Sequence, residues 1–314
     1  MGRKFQDRRP LTSNNEHLPE GQAGPAPART VGELVEAMSE ILRCVIGDDA
    51  AAEARELLAL QHDRPRHWPL LAGDLAITAE ERGAAVGAAK RRAAGAPLQY
   101  AAGRAPFRQL TLHVDERVLI PRPETEQLVE IVLNLTRDVP GGVAVDVGTG
   151  SGAIALSLAS EGRFEHVIGT DVSLDAVIVA RENTERFGHR CCARIDVRHG
   201  SLLSSVPERG LRAVVSNPPY ISFTEAAALP STVRDWEPSV ALFSGNDGMA
   251  TTARLIGEAA AALAPGGLFA LEADMRRAAS AAQLVATHGA YDGVRVLLDL
   301  TGRERFVVAR RREE

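Results

Sequence analysis

The stretch Asp146-Val147-Gly148-Thr149-Gly150-Ser151-Gly152 constrains the fold of this 314-residue chain more than any other. It follows the strand-like Val143-Ala144-Val145 and leads into a helix that begins near Ala153-Ile154-Ala155-Leu156. Glycines at alternate positions make a tight turn and let a ligand approach the backbone, and a helix N-terminus presents free N–H groups. Strand, glycine turn and helix in that order specify an α/β fold that binds its ligand at the carboxyl ends of the strands. The rest of the region keeps the alternation. Strands are predicted at 143–147, 166–170, 194–198, 212–216, 267–272, 293–299 and 304–309, with Pro265-Gly266-Gly267 feeding the fifth and Gly302 interrupting a final antiparallel pair. Such alternation gives a mostly parallel sheet with helices on both faces.

The glycine loop by itself leaves the ligand open. Gly148, Gly150 and Ala153 also satisfy the looser dinucleotide pattern G-x-G-x-x-G/A. Asp171, after the strand His166-Val167-Ile168-Gly169-Thr170, is placed to accept both hydroxyls of a ribose, which fits either kind of nucleoside cofactor. A second motif separates them. Asn217-Pro218-Pro219-Tyr220 follows the apolar Ala213-Val214-Val215-Ser216 and so sits at another strand end. An amide or ring-amine nitrogen is a poor nucleophile because its lone pair is delocalised. The Asn217 side-chain oxygen and the Pro218 carbonyl can each accept one N–H of a planar –NH2 group, orienting it and keeping that lone pair free. Two prolines hold the loop stiff, and Tyr220 offers a flat face to the substrate plane. This loop has no role in hydride transfer.

Together these features resemble a class I methyltransferase that uses S-adenosylmethionine. Ile120-Pro121-Arg122-Pro123-Glu124-Thr125-Glu126 upstream, and Trp236-Glu237-Pro238, Ala241-Leu242 and Gly245-Asn246-Asp247-Gly248 downstream, extend the likeness from about Pro97 to Arg310. The ordered set is similar to the protein-(glutamine-N5) methyltransferases that modify peptide chain release factors. The Arg122-to-Glu126 string favours that branch over the ribosomal-protein glutamine methyltransferases. The resemblance implies a seven-stranded Rossmann-like sheet whose last strand is antiparallel, with a smaller helical domain before it. It implies methyl transfer to the glutamine of a glycine-glycine-glutamine motif. Asn217 is then the catalytic residue, and Asn217, Pro218, Pro219 and Tyr220 bind the substrate. Gly148, Thr149, Gly150, Ser151, Gly152, Asp171, Leu202 and Asn217 bind the cofactor. At two places the chain departs from the family. Ser201-Leu202 stands where an acidic and an aromatic residue often flank the adenine, and Ala273-Asp274 follows Leu271-Glu272 where many members have a residue and then glycine.

Upstream, residues 1–29 are polar and rich in Gly and Pro and read as a disordered tail. Residues 30–96 read as a small helical domain, by its residues a stabilising cap or a docking surface and, with the resemblance, the substrate-docking domain; 97–120 read as a connecting β-hairpin and 121–314 as the methyltransferase domain. Thr30 with Glu33, and Thr78 with Glu81, are capping boxes; Val31, Leu34, Val35, Met38, Ile41, Leu42 and Val45 form one helical stripe. A second helix is predicted from Asp49 to Leu60, a third from Thr78 to Gly95, and another over Thr125–Leu135. Phe107, Leu110, Leu112 and Val114 give the hairpin its pattern.

The net charge of −5 argues against a general nucleic-acid binder, and with it against adenine-N6 methylation of DNA, which uses a similar asparagine loop. Cys44, Cys191 and Cys192 have no metal spacing, and His62, His67 and His113 are scattered, so no metal is expected. Without a secretory or membrane-spanning segment, the expectation is a cytoplasmic, monomeric enzyme whose partner is the release factor. Asp146 holds the glycine loop in this reading. Trp236 and Glu237 shape a loop over the site, and Asp247-Gly248 is a turn. Two further alternatives are a paralogue that methylates glutamine in another protein, and an idle scaffold, disfavoured by the intact Asn217-Pro218-Pro219-Tyr220 and kept open by Ser201.

Overall fold

The computed structural model describes residues 27–245 and 247–313. The tail expected through Arg29 lies outside the described residues up to position 26, as does Asn246. Ala28 and Arg29, assigned to that tail, are tied down: the Ala28 carbonyl accepts from Arg82, and the Arg29 carbonyl from Ile77 N–H.

Helices α1 (Val31–Ile46), α2 (Ala50–Gln61), α3 (Trp68–Leu71), α4 (Ala79–Ala93) and α5 (Leu98–Ala102) form the first layer. The stripe Val31, Leu34, Val35, Met38 and Leu42 is buried against Ala54, Leu57 and Leu58 of α2 and Ala85, Ala88 and Ala89 of α4, where alanines let the helices approach closely. Val45, assigned to that stripe, is exposed. The Thr78–Glu81 capping box is complete. At Thr30 the cap differs: its hydroxyl accepts Glu33 N–H, but the Glu33 carboxylate reaches one residue further, to Arg29 N–H. The helical layer also runs past the expected boundary. Pro97 starts α5, whose Ala101 and Ala102 join the same core.

The hairpin is β1 (Arg104–Phe107) and β2 (Leu110–His113), paired Phe107 to Leu110. Its apolar face belongs to the core of the second layer. There α6 (Pro123–Thr136) precedes β3 (Val143–Val147), α7 (Ala153–Glu161), β4 (His166–Asp171), α8 (Leu174–Phe187), β5 (Arg194–His199) and β6 (Leu211–Ser216). Two short helices, α9 (Ser231–Arg234) and α10 (Ser239–Leu242), are followed by α11 (Ala250–Ala262), β7 (Leu263–Glu272), α12 (Ala278–His288), β8 (Tyr291–Leu298) and β9 (Glu304–Arg311). The sheet order is β5-β4-β3-β6-β7-β9-β8, with β9 antiparallel to both neighbours. Successive residues face opposite sides, as the period of a strand requires. Ala144, Ala213, Val215, Leu268 and Phe306 meet α6, α7 and the hairpin; Val145, Val214, Phe269, Leu271 and Val307 meet α11 and α12. The expected turn at Pro265-Gly266-Gly267 is a register break inside β7, between the pairs Leu211–Leu263 and Ala213–Leu268.

The chain order reverses between β3, which leads outward to β4 and β5, and β6, which leads to β7. A crevice opens at the carboxyl ends of strands where the order reverses. Both motifs end there.

Candidate active site

A cavity of about 300 Å³ occupies that crevice. Gly148 and Gly150 from the loop after β3, Asp171 at the end of β4, Leu202 after β5, and Asn217, Pro218 and Pro219 after β6 all line it. Gly148 (φ 75°) and Gly150 (φ 54°) adopt left-handed conformations, and a Cβ on either would meet no atom within 4 Å. The glycines leave that space to a ligand.

The other loop residues work inward. Thr149 and Ser151 are buried and do not line the cavity, and neither does Gly152. The Thr149 hydroxyl donates to Asp146 at 2.6 Å, and the Ser151 carbonyl accepts from the Asn183 side chain at 2.9 Å. Asn183, buried within α8, also clasps both backbone groups of His113, joining the hairpin to the glycine loop. The free N–H groups expected here are largely spent within the protein. Gly148 and Thr149 donate to the Thr170 carbonyl, Gly152 donates to the Thr149 carbonyl, and Gly150 donates to the Asp171 carboxylate at 2.9 Å. Thr149, Ser151 and Gly152 therefore shape the loop, and what they offer a ligand is the position of Gly148 and Gly150.

Two carboxylates anchor the arrangement. Asp146 is fully buried, accepts from Thr149 and from Ala155 N–H, and leaves its second oxygen without a partner. Burial pushes its carboxyl up to about 7, partly offset by those two bonds. Asp171 accepts Gly150 N–H on one oxygen and Ser173 N–H on the other. Burial raises its carboxyl as well, against the pull of those backbone donors. Its spare lone pairs border the cavity.

The second loop is held by side chains from distant parts of the chain. The Ser216 hydroxyl donates to the Val147 carbonyl at 2.7 Å, locking the end of β6 to β3. The Asn217 amide nitrogen donates to the Thr125 hydroxyl at 3.1 Å, and that hydroxyl donates to Glu272 at 2.8 Å. Tyr220 is half-buried beyond the cavity lining, its phenol pushed up to about 12 by burial and then by Glu272. The structure thus places Asn217, Pro218 and Pro219 at the cavity and Tyr220 behind them. A Cβ on Gly248 (φ 76°) would fall 2.2 Å from the Tyr220 carbonyl oxygen, so only glycine lets the turn at Asp247-Gly248 pack on this loop.

Of the residues between Ile120 and Glu126, Thr125 reaches Asn217. Glu126 accepts the Arg108 N–H of the hairpin turn. Thr125 and Glu272 carry no local signal, since their partners lie 92 and 147 positions away. The covering loop is also specific. Buried Glu237 pairs with Arg122, Trp236 packs on the helical layer, and Pro238, Val240, Ala241 and Phe243 line the cavity. Phe243 is the aromatic ring among the described lining residues, stacked on Phe223 at 5.5 Å. Among the described residues there is no cluster of three metal-ligating side chains, and no helix is long and apolar enough to cross a membrane.

Comparison with known proteins places the chain in a family. The "Methyltransferase small domain" model matches residues 125–230, and the "PrmC N-terminal domain" model matches residues 33–103. A release factor glutamine methyltransferase of Moorella thermoacetica is 42% identical over 83% of this chain and 92% of its own length. The chain belongs to the release factor glutamine methyltransferase family. Members named in the same way from Gloeobacter violaceus (38% identical, 84% of this chain, 91% of theirs) and Deinococcus radiodurans (41%, 77% and 84%) span both layers of the fold. Membership fits a cavity lined by both motif loops and a helical layer fastened to it through Trp236.

Proposed function

We propose that this family member transfers the methyl group of S-adenosylmethionine to the side-chain amide nitrogen of the glutamine in the glycine-glycine-glutamine motif of a peptide chain release factor. The observation that carries the reading is Asn217, which lines the cavity with its amide nitrogen already committed to Thr125. The remaining end of that side chain is an acceptor.

The chain's residues fit the cofactor. Gly148 and Gly150 leave open space where a side chain would intrude, Asp171 supplies an acceptor for ribose hydroxyls, and Leu202 and Phe243 supply apolar surface. When bound, S-adenosylmethionine supplies an electrophilic methyl on a sulfonium. The chain's own task is placement. Asn217 Oδ1 and the Pro218 carbonyl accept the two N–H groups of the substrate amide and leave its lone pair facing the methyl. Holding two reactants in line can lower a barrier by about 7–11 kcal/mol, so no general base is needed ahead of attack. The amide proton becomes acidic only once the nitrogen is methylated. Residues 30–96 serve as the docking surface for the protein substrate. The enzyme acts as a cytoplasmic monomer without stable nucleic acid, in keeping with its net charge of −5.

The test is transfer of labelled methyl to three substrates: an intact release factor, the same factor with that glutamine replaced, and adenine-containing DNA. Labelling of the intact factor alone is expected. Labelling of the glutamine-less factor would remove the site assignment, and labelling of DNA alone would remove the protein substrate.

A further inference from the structure

Asn217, Thr125 and Glu272 form a chain of hydrogen bonds running inward from the cavity wall to a buried carboxylate. Each link has a direction. An ionised carboxylate has no proton, so Glu272 can only accept. Thr125 has one hydroxyl proton, and giving it to Glu272 leaves only lone pairs for Asn217. Asn217 must then turn its –NH2 toward Thr125, and its oxygen is left for the cavity. With the amide reversed, two oxygens would face each other with no proton between them, and the substrate –NH2 would meet another –NH2.

We propose that Glu272 and Thr125 are positioning residues that set which end of the Asn217 amide faces the substrate. The proposal deepens the reading of Asn217 as the acceptor for a glutamine amide and rests on it. Neither residue touches the substrate. Glu272, on β7, is 1% exposed, and Thr125, in the first turn of α6, is 5% exposed.

The device works only while Glu272 is ionised. A protonated carboxyl can donate to Thr125, which then turns its own proton toward Asn217 and lets the amide reverse. Glu272 faces Arg305 of β9, Arg122 and Glu124 around the start of α6, and the Tyr220 phenol. Burial dominates these and pushes its carboxyl up to about 7, while the Thr125 bond and Arg305 pull the other way. The state that orients Asn217 is therefore populated above that value and lost below it.

The experiment measures methylation of an intact release factor across pH 5.5 to about 8.5, with S-adenosylmethionine affinity measured separately by calorimetry, for the parent and three variants. In the parent, kcat should fall as pH drops through about 7. Glu272→Gln should lower kcat about ten- to a hundredfold at pH 8 and lose that acid limb, because its neutral amide can donate to Thr125. Cofactor affinity should stay within about twofold, since the reversed amide faces the substrate. Thr125→Ser keeps the hydroxyl and should keep both rate and pH profile. Thr125→Val keeps the shape without the hydroxyl and should lose both. A Glu272→Gln enzyme with parental kcat and acid limb overturns the relay. If that variant does not fold, Thr125→Val matching Thr125→Ser in rate and profile overturns it instead. A parent enzyme that binds the cofactor yet leaves the glutamine unmodified points to failure of the functional reading, which is distinguishable from failure of the relay.

Discussion

The two loops that meet at the cavity are held in opposite ways. The loop after β3 is fixed mainly through its backbone, by the neighbouring Asp146, by Thr170 and Asp171 at the end of the adjacent strand β4, and by Asn183 of α8. The loop after β6 is stiffened by prolines but aimed from far away, by Thr125 from α6 and Glu272 from β7. One must present a surface that does not depend on a side chain's orientation. The other must present one atom of one amide the right way round. A cofactor binding to the first gains most from shape; a substrate at the second depends on hydrogen-bond direction. Substitutions in the two loops should therefore act on different kinetic quantities.

The largest separation is expected from Asn217→Ala. It deletes the acceptor while leaving Gly148, Gly150 and Asp171 in place. Losing one positioned hydrogen-bonding group typically costs a factor of about 10²–10³ in rate. S-adenosylmethionine affinity, read by calorimetry, should fall far less than the rate, because Asn217 is one of several residues that line the cofactor's cavity. A variant that loses cofactor binding as steeply as kcat would merge the two halves of the site into one.

Asp171→Ala should act on the other side. It removes an acceptor to the ribose, a charge-assisted contact worth about 1.5–3 kcal/mol, or roughly 10- to 150-fold in the dissociation constant. It also releases Gly150 N–H and Ser173 N–H, so the loop should loosen and the melting temperature should drop along with affinity. Unchanged affinity with a lowered melting temperature would leave Asp171 as a brace for the loop and not a ligand to the ribose.

The same contrast explains what was legible in the sequence. The glycine loop could be read because each of its determinants is local: an apolar strand, alternate glycines and a helix start in one window. The central strands could be read for the same reason, as short apolar runs, because helices cover both faces of the sheet and bury successive residues alike; β7 begins earlier than expected because Pro265 to Gly267 lie in a register break. Asn217 was visible as a residue, but what orients it was not. Thr125 lies inside the Ile120-to-Glu126 string, but nothing local distinguishes it from its neighbours, since its partners are 92 and 147 positions away. The resemblance implied Thr149 and Ser151 as cofactor residues along with the whole glycine loop; here Asp146 holds the Thr149 hydroxyl and Asn183 holds the Ser151 carbonyl. The helical layer ends at Ala102 and not Ala96 because Pro97, which reads as a stop, is the start of α5.

Leu202 gives the smallest and most local test of the backbone-held side. It is a non-glycine residue at φ 50°, with its carbonyl accepting from the Thr170 hydroxyl at 2.9 Å. A leucine in the left-handed region costs on the order of 1 kcal/mol, which glycine would relieve. Glycine adds a comparable entropic cost in the unfolded chain, about 0.5–1 kcal/mol, so the backbone effects of Leu202→Gly nearly cancel. What remains is the side chain, which lines the cavity and packs in part on the core beneath it. Covering about 40 Å² of leucine with a ligand is worth about 1 kcal/mol, a factor of about five in affinity. Leu202→Gly should therefore weaken S-adenosylmethionine binding several-fold, shift the melting temperature by only a few degrees, and leave kcat at saturating cofactor near the parent value. A fall in kcat without a change in affinity would be the opposite result. It would mean that this wall helps to aim the substrate after all.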